Sequence, residues 1–276
     1  MKLIDGKALA QKIREELKEK IAAGNKQPGL AVVIVGNDPA SQIYVRNKIK
    51  ACEEVGLRSY CYRLEETATQ QELETLLDEL AVSKEVDGIL LQLPLPKGFC
   101  AQSAMARIPA EKDVDGFSES NLGKLVLNEE KIAACTPSGI MKMLANEGVD
   151  PKGKHAVILG RSDTVGKPMA LLLLNADATV TVCHSKTRGI AEICRTADIL
   201  IAAVGKPKFV TKDMVKEGAV VIDVGMNRDE NGKLCGDVDF EKVKEKASLI
   251  TPVPGGVGPM TIATLLYNTC LTAWKE

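Results

Sequence analysis

The run SQIYVRNKIKACEEVG, Ser41 to Gly56, sets a lysine where a hydrocarbon side chain belongs. At about 100° per residue, Tyr44, Lys48, Ala51, Cys52 and Val55 share one helical face with Val45 beside it, and Arg46, Lys50, Glu53 and Glu54 fall opposite. An amine in an apolar stripe has two readings. It snorkels, laying its stem over Cys52 with its head in water, or it is desolvated, which makes the neutral amine accessible as a general base. Arg46 and Lys50 belong to the solvent on either reading. Gln92 follows GILL at the carboxyl end of a strand-like run, the edge at which open α/β sheets bind ligands, although an ordinary strand-end glutamine fits there too. Asp113 and Asp115, in KDVDG, read as turn caps.

A second chemical signal is HAVILGRSDTVGKPMALLLL, which reads as strand, glycine turn and helix, the context of a dinucleotide site. The spacing is not GxGxxG: Gly160 is followed by Arg161, Ser162 and then Gly166. Gly160 suits a tight turn, and the free N–H groups of the following helix suit a pyrophosphate. A simple strand-to-helix turn carries the same glycine; three further strand–turn units in register weigh for the nucleotide. The next strand, ATVTVC, ends in Cys183-His184-Ser185-Lys186, without the carboxylate that binds the ribose hydroxyls of NAD. Arg161, Ser185, Lys186 and Arg188 are each ordinary solvated loop residues taken singly. Together they suit a ribose phosphate, so the charge pattern favours NADP over NAD.

These residues need a scaffold, and the pattern supplies an α/β one. An amphipathic helix through Leu9, Ile13, Leu17 and Ile21 is followed by a buried strand at LAVVIVG, then by the Lys48 helix, with Asp38 as N-cap, Pro39 at its first position and Gly56 as its stop. SYCYRL is a second strand. Thr69 and Glu72 form a capping box for a helix carrying Leu73, Leu76, Leu77 and Leu80, and VDGILLQLPLP is a third strand. Between Pro94 and Pro137 periodicity fades and a long loop is expected. Thr136-Pro137 opens a helix that ends near Gly148, and HAVILG, ATVTVC, DILIAAVG and AVVIDVG are the strands of a second parallel sheet.

Composition narrows the function classes. With 45% hydrophobic and 26% charged residues in 276, the chain has ample core for two modest domains or one large one and reads as a water-soluble globule. A formal net charge of -1 and only 3% aromatics argue against a nucleic-acid or anionic-membrane binder. The N-terminus lacks a signal-peptide core and no apolar run is long enough to span a bilayer. Eight scattered cysteines without CxxC pairs fit reduced thiols in a cytoplasm, and two histidines, His155 and His184, make a metal centre or a serine triad improbable.

YVRNKIKACEEVG, ILLQLPLP, EKDVDGF, CTPSG, GRSDTVGKP and TPVPGGVGPMT occur in one order along the chain. In this the sequence resembles the bifunctional methylenetetrahydrofolate dehydrogenase/methenyltetrahydrofolate cyclohydrolase family, from Ile4-Asp5-Gly6-Lys7 to the final helix. Thr164 departs from the isoleucine common in GRSxIVGxP. The resemblance implies an N-terminal α/β domain (residues 1–137, with a returning helix at 259–276), a Rossmann-type parallel-sheet domain at 138–258, and a cleft between them. It implies hydride transfer from methylenetetrahydrofolate to NADP, then hydrolysis of the methenyl cation to formyltetrahydrofolate, in a homodimer. It assigns Lys48 as the main catalytic group, Gln92 as its hydrogen-bond partner, and Asp115 as the carboxylate for the donor groups of the pterin. Tyr44 and Ser41 become substrate contacts, as does the Pro254-Gly255-Gly256 backbone; Gly160, Arg161, Ser162, Gly166, Ser185 and Arg188 become the NADP site. The cysteines remain packing residues.

Overall fold

The computed structural model describes residues 1–274. In chain order its elements are β1 (Lys2–Leu3), α1 (Gly6–Ala23), β2 (Gly29–Val35), α2 (Pro39–Val55), β3 (Arg58–Leu64), α3 (Gln70–Val82), β4 (Gly88–Leu91), α4 (Ala101–Met105), α5 (Glu119–Val126) and α6 (Cys135–Asn146). There follow β5 (His155–Leu159), α7 (Gly166–Asn175), β6 (Thr179–Cys183), α8 (Ile190–Cys194), β7 (Ile199–Ala202), β8 (Val220–Asp223), β9 (Asn227–Arg228), β10 (Leu234–Cys235), α9 (Phe240–Val243), β11 (Leu249–Ile250) and α10 (Val257–Trp274). The chain divides into two compact units. One holds Gln11–Cys135 and the chain from Ile262, the other Met1–Ala10 and Thr136–Thr261. The first ten residues, expected in the N-terminal domain, are grouped with the second sheet instead, because β1 pairs with β11.

The first unit is built on a three-stranded parallel sheet in the order β3-β2-β4. Its middle strand, GLAVVIV, is buried throughout, as a parallel strand covered on both faces must be. Leu30, Val32 and Ile34 point to one face, where they meet Leu17 and Ile21 of α1, Val45, Cys52 and Val55 of α2, and Leu266 of α10. Ala31, Val33 and Val35 point to the other, against Leu73, Leu77 and Leu80 of α3. The helix ends follow from the sequence: Asp38 accepts from the Ser41 N–H at 2.8 Å, Gly56 takes φ 83°, and Thr69 and Glu72 form the reciprocal capping box.

The expected loop between Pro94 and Pro137 contains two helices, α4 and α5. They span five and eight residues, too few turns for an apolar period to show; the Ser118 side chain, accepting from the Asn121 N–H, was the only local signal for the second. Helix α6 starts at Cys135 rather than after Thr136, whose hydroxyl bonds that of Thr261 at 2.8 Å.

The second unit is a six-stranded parallel sheet, β1-β11-β8-β7-β5-β6. The expected strands β5 to β8 form its middle and one edge. The two-residue strands β1 and β11 were invisible to periodicity and extend the other edge. Chain order reverses at β5, which has β6 on one side and β7 on the other. In such sheets the strand ends on either side of the reversal diverge and leave a ligand crevice.

Two buried aspartates shape the loops beyond β7 and β8. Asp223 ends β8 at 3% exposure, and its carboxyl accepts from the N–H groups of Gly225 (2.9 Å), Asp237 (2.8 Å) and Val238 (2.9 Å). Burial pushes this carboxyl up from 3.8 to about 6, against those N–H donors and with help from the charge of Asp237. A carboxyl raised in the folded chain gives stability that is whole below its unfolded value and lost as pH climbs through its folded one. A move from about 4 to about 6 corresponds to about 3 kcal/mol. Urea unfolding of the wild type and Asp223→Asn, compared between pH 4 and pH 7, is expected to show the wild type losing up to about that amount relative to the variant as pH rises. A difference that stays flat across the range removes Asp223 as the cause.

Candidate functional site

Helix α2 presents the face read from the sequence. Val45, Ala51, Cys52 and Val55 are buried, Arg46 and Lys50 are exposed, and Lys48 is half-buried between them. Its amine donates to Gln92 Oε1 at 3.1 Å, so the head is bonded to a side chain. Gln92 stands one residue past β4 at 9% exposure, its backbone N–H on Val33 O at 2.8 Å. Its Nε2 is committed to Leu93 O at 2.6 Å, which fixes the amide with its oxygen toward the lysine. Tyr44, one turn before Lys48, is 39% exposed, and Ser41, one turn earlier still, is buried.

The two aspartates of KDVDG have different surroundings. Asp113 is a turn cap, its carboxylate accepting from Gly116 N–H (3.0 Å), Ser118 N–H (2.7 Å) and Asn121 Nδ2 (3.0 Å). Asp115 lines a recess with Ile89, Leu91, Ile108 and Phe117. Burial pushes its carboxyl up, the nearby Lys48 ammonium pulls it down, the Asp113 charge adds to the rise, and a bond to Cys135 opposes it. Lys48, Gln92 and Asp115 thus lie together within one unit.

Cys135, read from the sequence as a packing residue, belongs beside this group. Its buried thiol lies 3.2 Å from Val114 O and bonds the Asp115 side chain, and burial with the Asp115 charge drives the thiol well above its ordinary range. Asn268 of α10 donates through Nδ2 to Val114 O (2.9 Å) and Ala133 O (3.3 Å), tying the Asp115 turn to the segment that leads into α6. Nothing in the helical pattern of α10 signalled Asn268; a buried amide in an apolar helix was the available clue.

In the second unit, Gly160 follows β5 at φ 120°, and a Cβ there would stand 2.2 Å from Ala203 O, in the loop after β7. Only glycine allows that backbone and that approach. Gly166 opens α7, where a Cβ would stand 2.3 Å from Gly160 O. Ser162 Oγ accepts from the N–H groups of Val165 (3.2 Å) and Gly166 (3.3 Å), closing the turn. Arg161 and Ser162 are exposed on it, and Ser185 and Arg188 on the loop after β6, which His184 and Thr187 fold back on itself. The β5 and β6 loops of a single sheet edge therefore carry the two arginines and two serines. Pro254, Gly255 and Gly256 lie in this unit too, between β11 and α10. Gly255 O accepts from Lys7 N–H at 3.0 Å, and Gly6 packs so tightly on Gly256 that a Cβ would stand 1.9 Å from its carbonyl oxygen. Among the described residues no group of acids, cysteines or histidines is arranged to hold a metal.

Two family models match the chain. Residues 4–115 match the catalytic domain of tetrahydrofolate dehydrogenase/cyclohydrolase, and residues 134–276 match its NAD(P)-binding domain. A curated relative, bifunctional protein FolD of Desulfovibrio desulfuricans, is 55% identical over 284 residues, covering 100% of this chain and 99% of its own. Among solved structures, the bifunctional FolD enzyme methylenetetrahydrofolate dehydrogenase/cyclohydrolase of Campylobacter jejuni superposes with a TM-score of 0.98 at 52% identity, covering 100% of this chain and 99% of that one. The methylenetetrahydrofolate dehydrogenase-cyclohydrolase of Trypanosoma brucei, solved with NADP and an inhibitor, gives 0.95 at 41% identity over 99% and 97%.

The close approach at Gly160 is open to a direct test. Gly153 also has a positive φ, 70°, but nothing within 4 Å of an added Cβ. Gly153→Ala is expected to cost about 1 kcal/mol, the backbone term alone. Gly160→Ala is expected to cost at least about 2 kcal/mol more, since a backbone oxygen must move. Equal losses in urea unfolding would mean that Ala203 does not constrain the turn.

Proposed function

The chain belongs to the tetrahydrofolate dehydrogenase/cyclohydrolase family and carries out both of its reactions; we propose that Lys48, Gln92 and Asp115 are the groups that act on the folate. The first reaction passes a hydride from methylenetetrahydrofolate to NADP and leaves the methenyl cation. The second adds water to that cation and opens the ring to formyltetrahydrofolate. The observation that carries the assignment is the 3.1 Å bond from Lys48 Nζ to Gln92 Oε1 on an otherwise apolar helix face.

The nucleotide's place fits the second unit. Gly160 and Gly166 leave backbone room that any side chain would fill, no acid stands at the end of β6, and Arg161, Ser162, Ser185 and Arg188 are exposed on the adjoining loops to receive a 2′-phosphate. When bound, NADP supplies the hydride acceptor. The folate nitrogen provides the electron push, so the protein's task in this step is positioning. Asp115 accepts from the pterin's amino and ring N–H groups and fixes its orientation. Tyr44 offers its exposed ring as a surface for the folate, and Ser41 stands one turn away. Within the second unit, the Pro254-Gly255-Gly256 backbone is free of bulky side chains at its two glycines.

In the hydrolytic step Lys48 is the base. Gln92, held by Leu93 O, takes one N–H of the neutral amine and leaves the lone pair facing away from the amide. That lone pair accepts a proton from the attacking water. The ammonium so formed is the nearest acid for the ring nitrogen that leaves. We further read the protein as a cytoplasmic homodimer. The family resemblance supports the dimer; eight unpaired cysteines support a reducing compartment. Among the described residues no helix is long and apolar enough to cross a membrane.

Purified protein given methylenetetrahydrofolate and NADP is expected to yield reduced NADP and formyltetrahydrofolate without build-up of methenyl. Lys48→Met is expected to lower cyclohydrolase turnover by at least about a hundredfold, the usual scale of a general base, so that methenyl either accumulates or is never formed. Full hydrolysis by this variant would remove Lys48 from the mechanism. Arg188→Ala is expected to weaken NADP about tenfold while leaving NAD unchanged, as loss of one phosphate contact would; equal losses for both would place Arg188 away from the phosphate.

A further inference from the structure

The loop after β7 meets Gly160 across the point where strand order reverses, and it is held by one side chain. Asp237 is wholly buried, and its carboxylate takes four N–H donors. Oδ2 accepts from Val204 N–H (2.6 Å) and Gly205 N–H (3.0 Å); Oδ1 accepts from Lys206 N–H (2.9 Å) and Asn227 Nδ2 (2.8 Å). Three consecutive amides of one loop are thereby turned inward onto a single carboxylate. Ala203, which precedes them, is the residue whose carbonyl oxygen faces Gly160.

Asp237 is itself seated with care. Its N–H donates to Asp223 Oδ1 at 2.8 Å, and its carbonyl accepts from Val210 N–H at 2.9 Å. Gly225 and Gly236 are the neighbours that make room, since a Cβ at Gly225 would stand 2.3 Å from Asp237 Oδ1, and one at Gly236 would stand 1.8 Å from Asp223 Oδ2. These contacts seat the Asp237 carboxylate, and three of its four donors are the amides of residues 204–206.

We infer that Asp237 is a positioning residue for NADP: by gathering the amides of 204–206 it sets the loop after β7 as the wall of the nucleotide crevice opposite Gly160. The inference rests on the NADP-dependent reading above. A neutral amide cannot do this. Asparagine would put an NH2 group against two N–H donors whichever way it turned, so one pair of bonds becomes a clash and the loop must open. The lysine that serves hydrolysis lies in the other unit, so the two activities separate a local effect from a global one.

The test is Asp237→Asn in the full-length protein. NADP affinity of the free protein is measured by titration calorimetry, and cyclohydrolase turnover on methenyltetrahydrofolate is measured without nucleotide. The expected result is a dissociation constant raised at least about tenfold, with hydrolysis within about twofold of wild type. Amide hydrogen exchange at 204–206 is expected to quicken in the variant. An unchanged NADP constant overturns the proposal, and so does a parallel fall in hydrolysis, which would make Asp237 structural only. Should Asp237→Asn not fold, Asn227→Ala removes one of the four bonds; a severalfold weaker NADP constant with unchanged hydrolysis then supports the proposal, and an unchanged constant overturns it. A wild type that binds NADP without oxidising methylenetetrahydrofolate would sink the functional reading instead, and the comparison of binding constants would still decide this one.

Discussion

In a parallel sheet every strand leaves the layer at the same edge, and each must turn there before a helix carries the chain back. That constraint gathers the candidate site residues of each unit into a row. In the first unit Gln92 stands just past β4, and Asp113 extends the same sheet by bridging to Ile89. In the second, Gly160 follows β5, Ser185 and Arg188 follow β6, Ala203 to Lys206 follow β7, and Asp223 ends β8. Lys48 is the exception. It reaches its partner from the middle of a helix, which is possible because α2 packs along β2 and the Gln92 N–H is fixed to Val33 of that strand.

Buried carboxylates recur in this protein, and their surroundings sort them by task. Asp113 takes its donors from the turn and helix start that follow it, and Asp237 takes its from the loop after β7 and from Asn227, so the acceptor capacity of both is spent on shape. Asp115, only two residues from Asp113, is half-buried: desolvation and the Asp113 charge work against its ionised form, while the Lys48 ammonium and a bond to Cys135 favour it. Asp223, tied down by three amides, belongs with Asp113 and Asp237.

The long elements were legible because each carried its period and its punctuation. Asp38, Pro39 and Gly56 bracket α2, Thr69 and Glu72 open α3, and the uninterrupted apolar run of β2 announces a strand covered on both faces. What escaped was short or non-local. β1 and β11 are two residues each and exist only through pairing, α4 and α5 are too brief for a period, and the place of residues 1–10 depends on a strand partner almost 250 residues away. The anomaly at Lys48 was readable from the helical face alone; its bond to Gln92, 44 residues away, was readable only through the family resemblance. Cys135, Asn268 and Asp237 were silent for the same reason, their significance lying wholly in what the fold brings against them.

The two units hold their polar groups in different ways. In the second, the turn at Gly160 is set by backbone packing, since a Cβ there would stand 2.2 Å from Ala203 O, and no change of rotamer can relieve such a contact. In the first, the restraint runs through side chains. Lys48 Nζ donates to Gln92 Oε1 at 3.1 Å, and Gln92 Nε2 donates in turn to Leu93 O at 2.6 Å, so each bond fixes the orientation of the group that makes the next. A helix side chain is thereby held to a strand end 44 residues away, and the apolar packing of α2 on β2 keeps the two within reach.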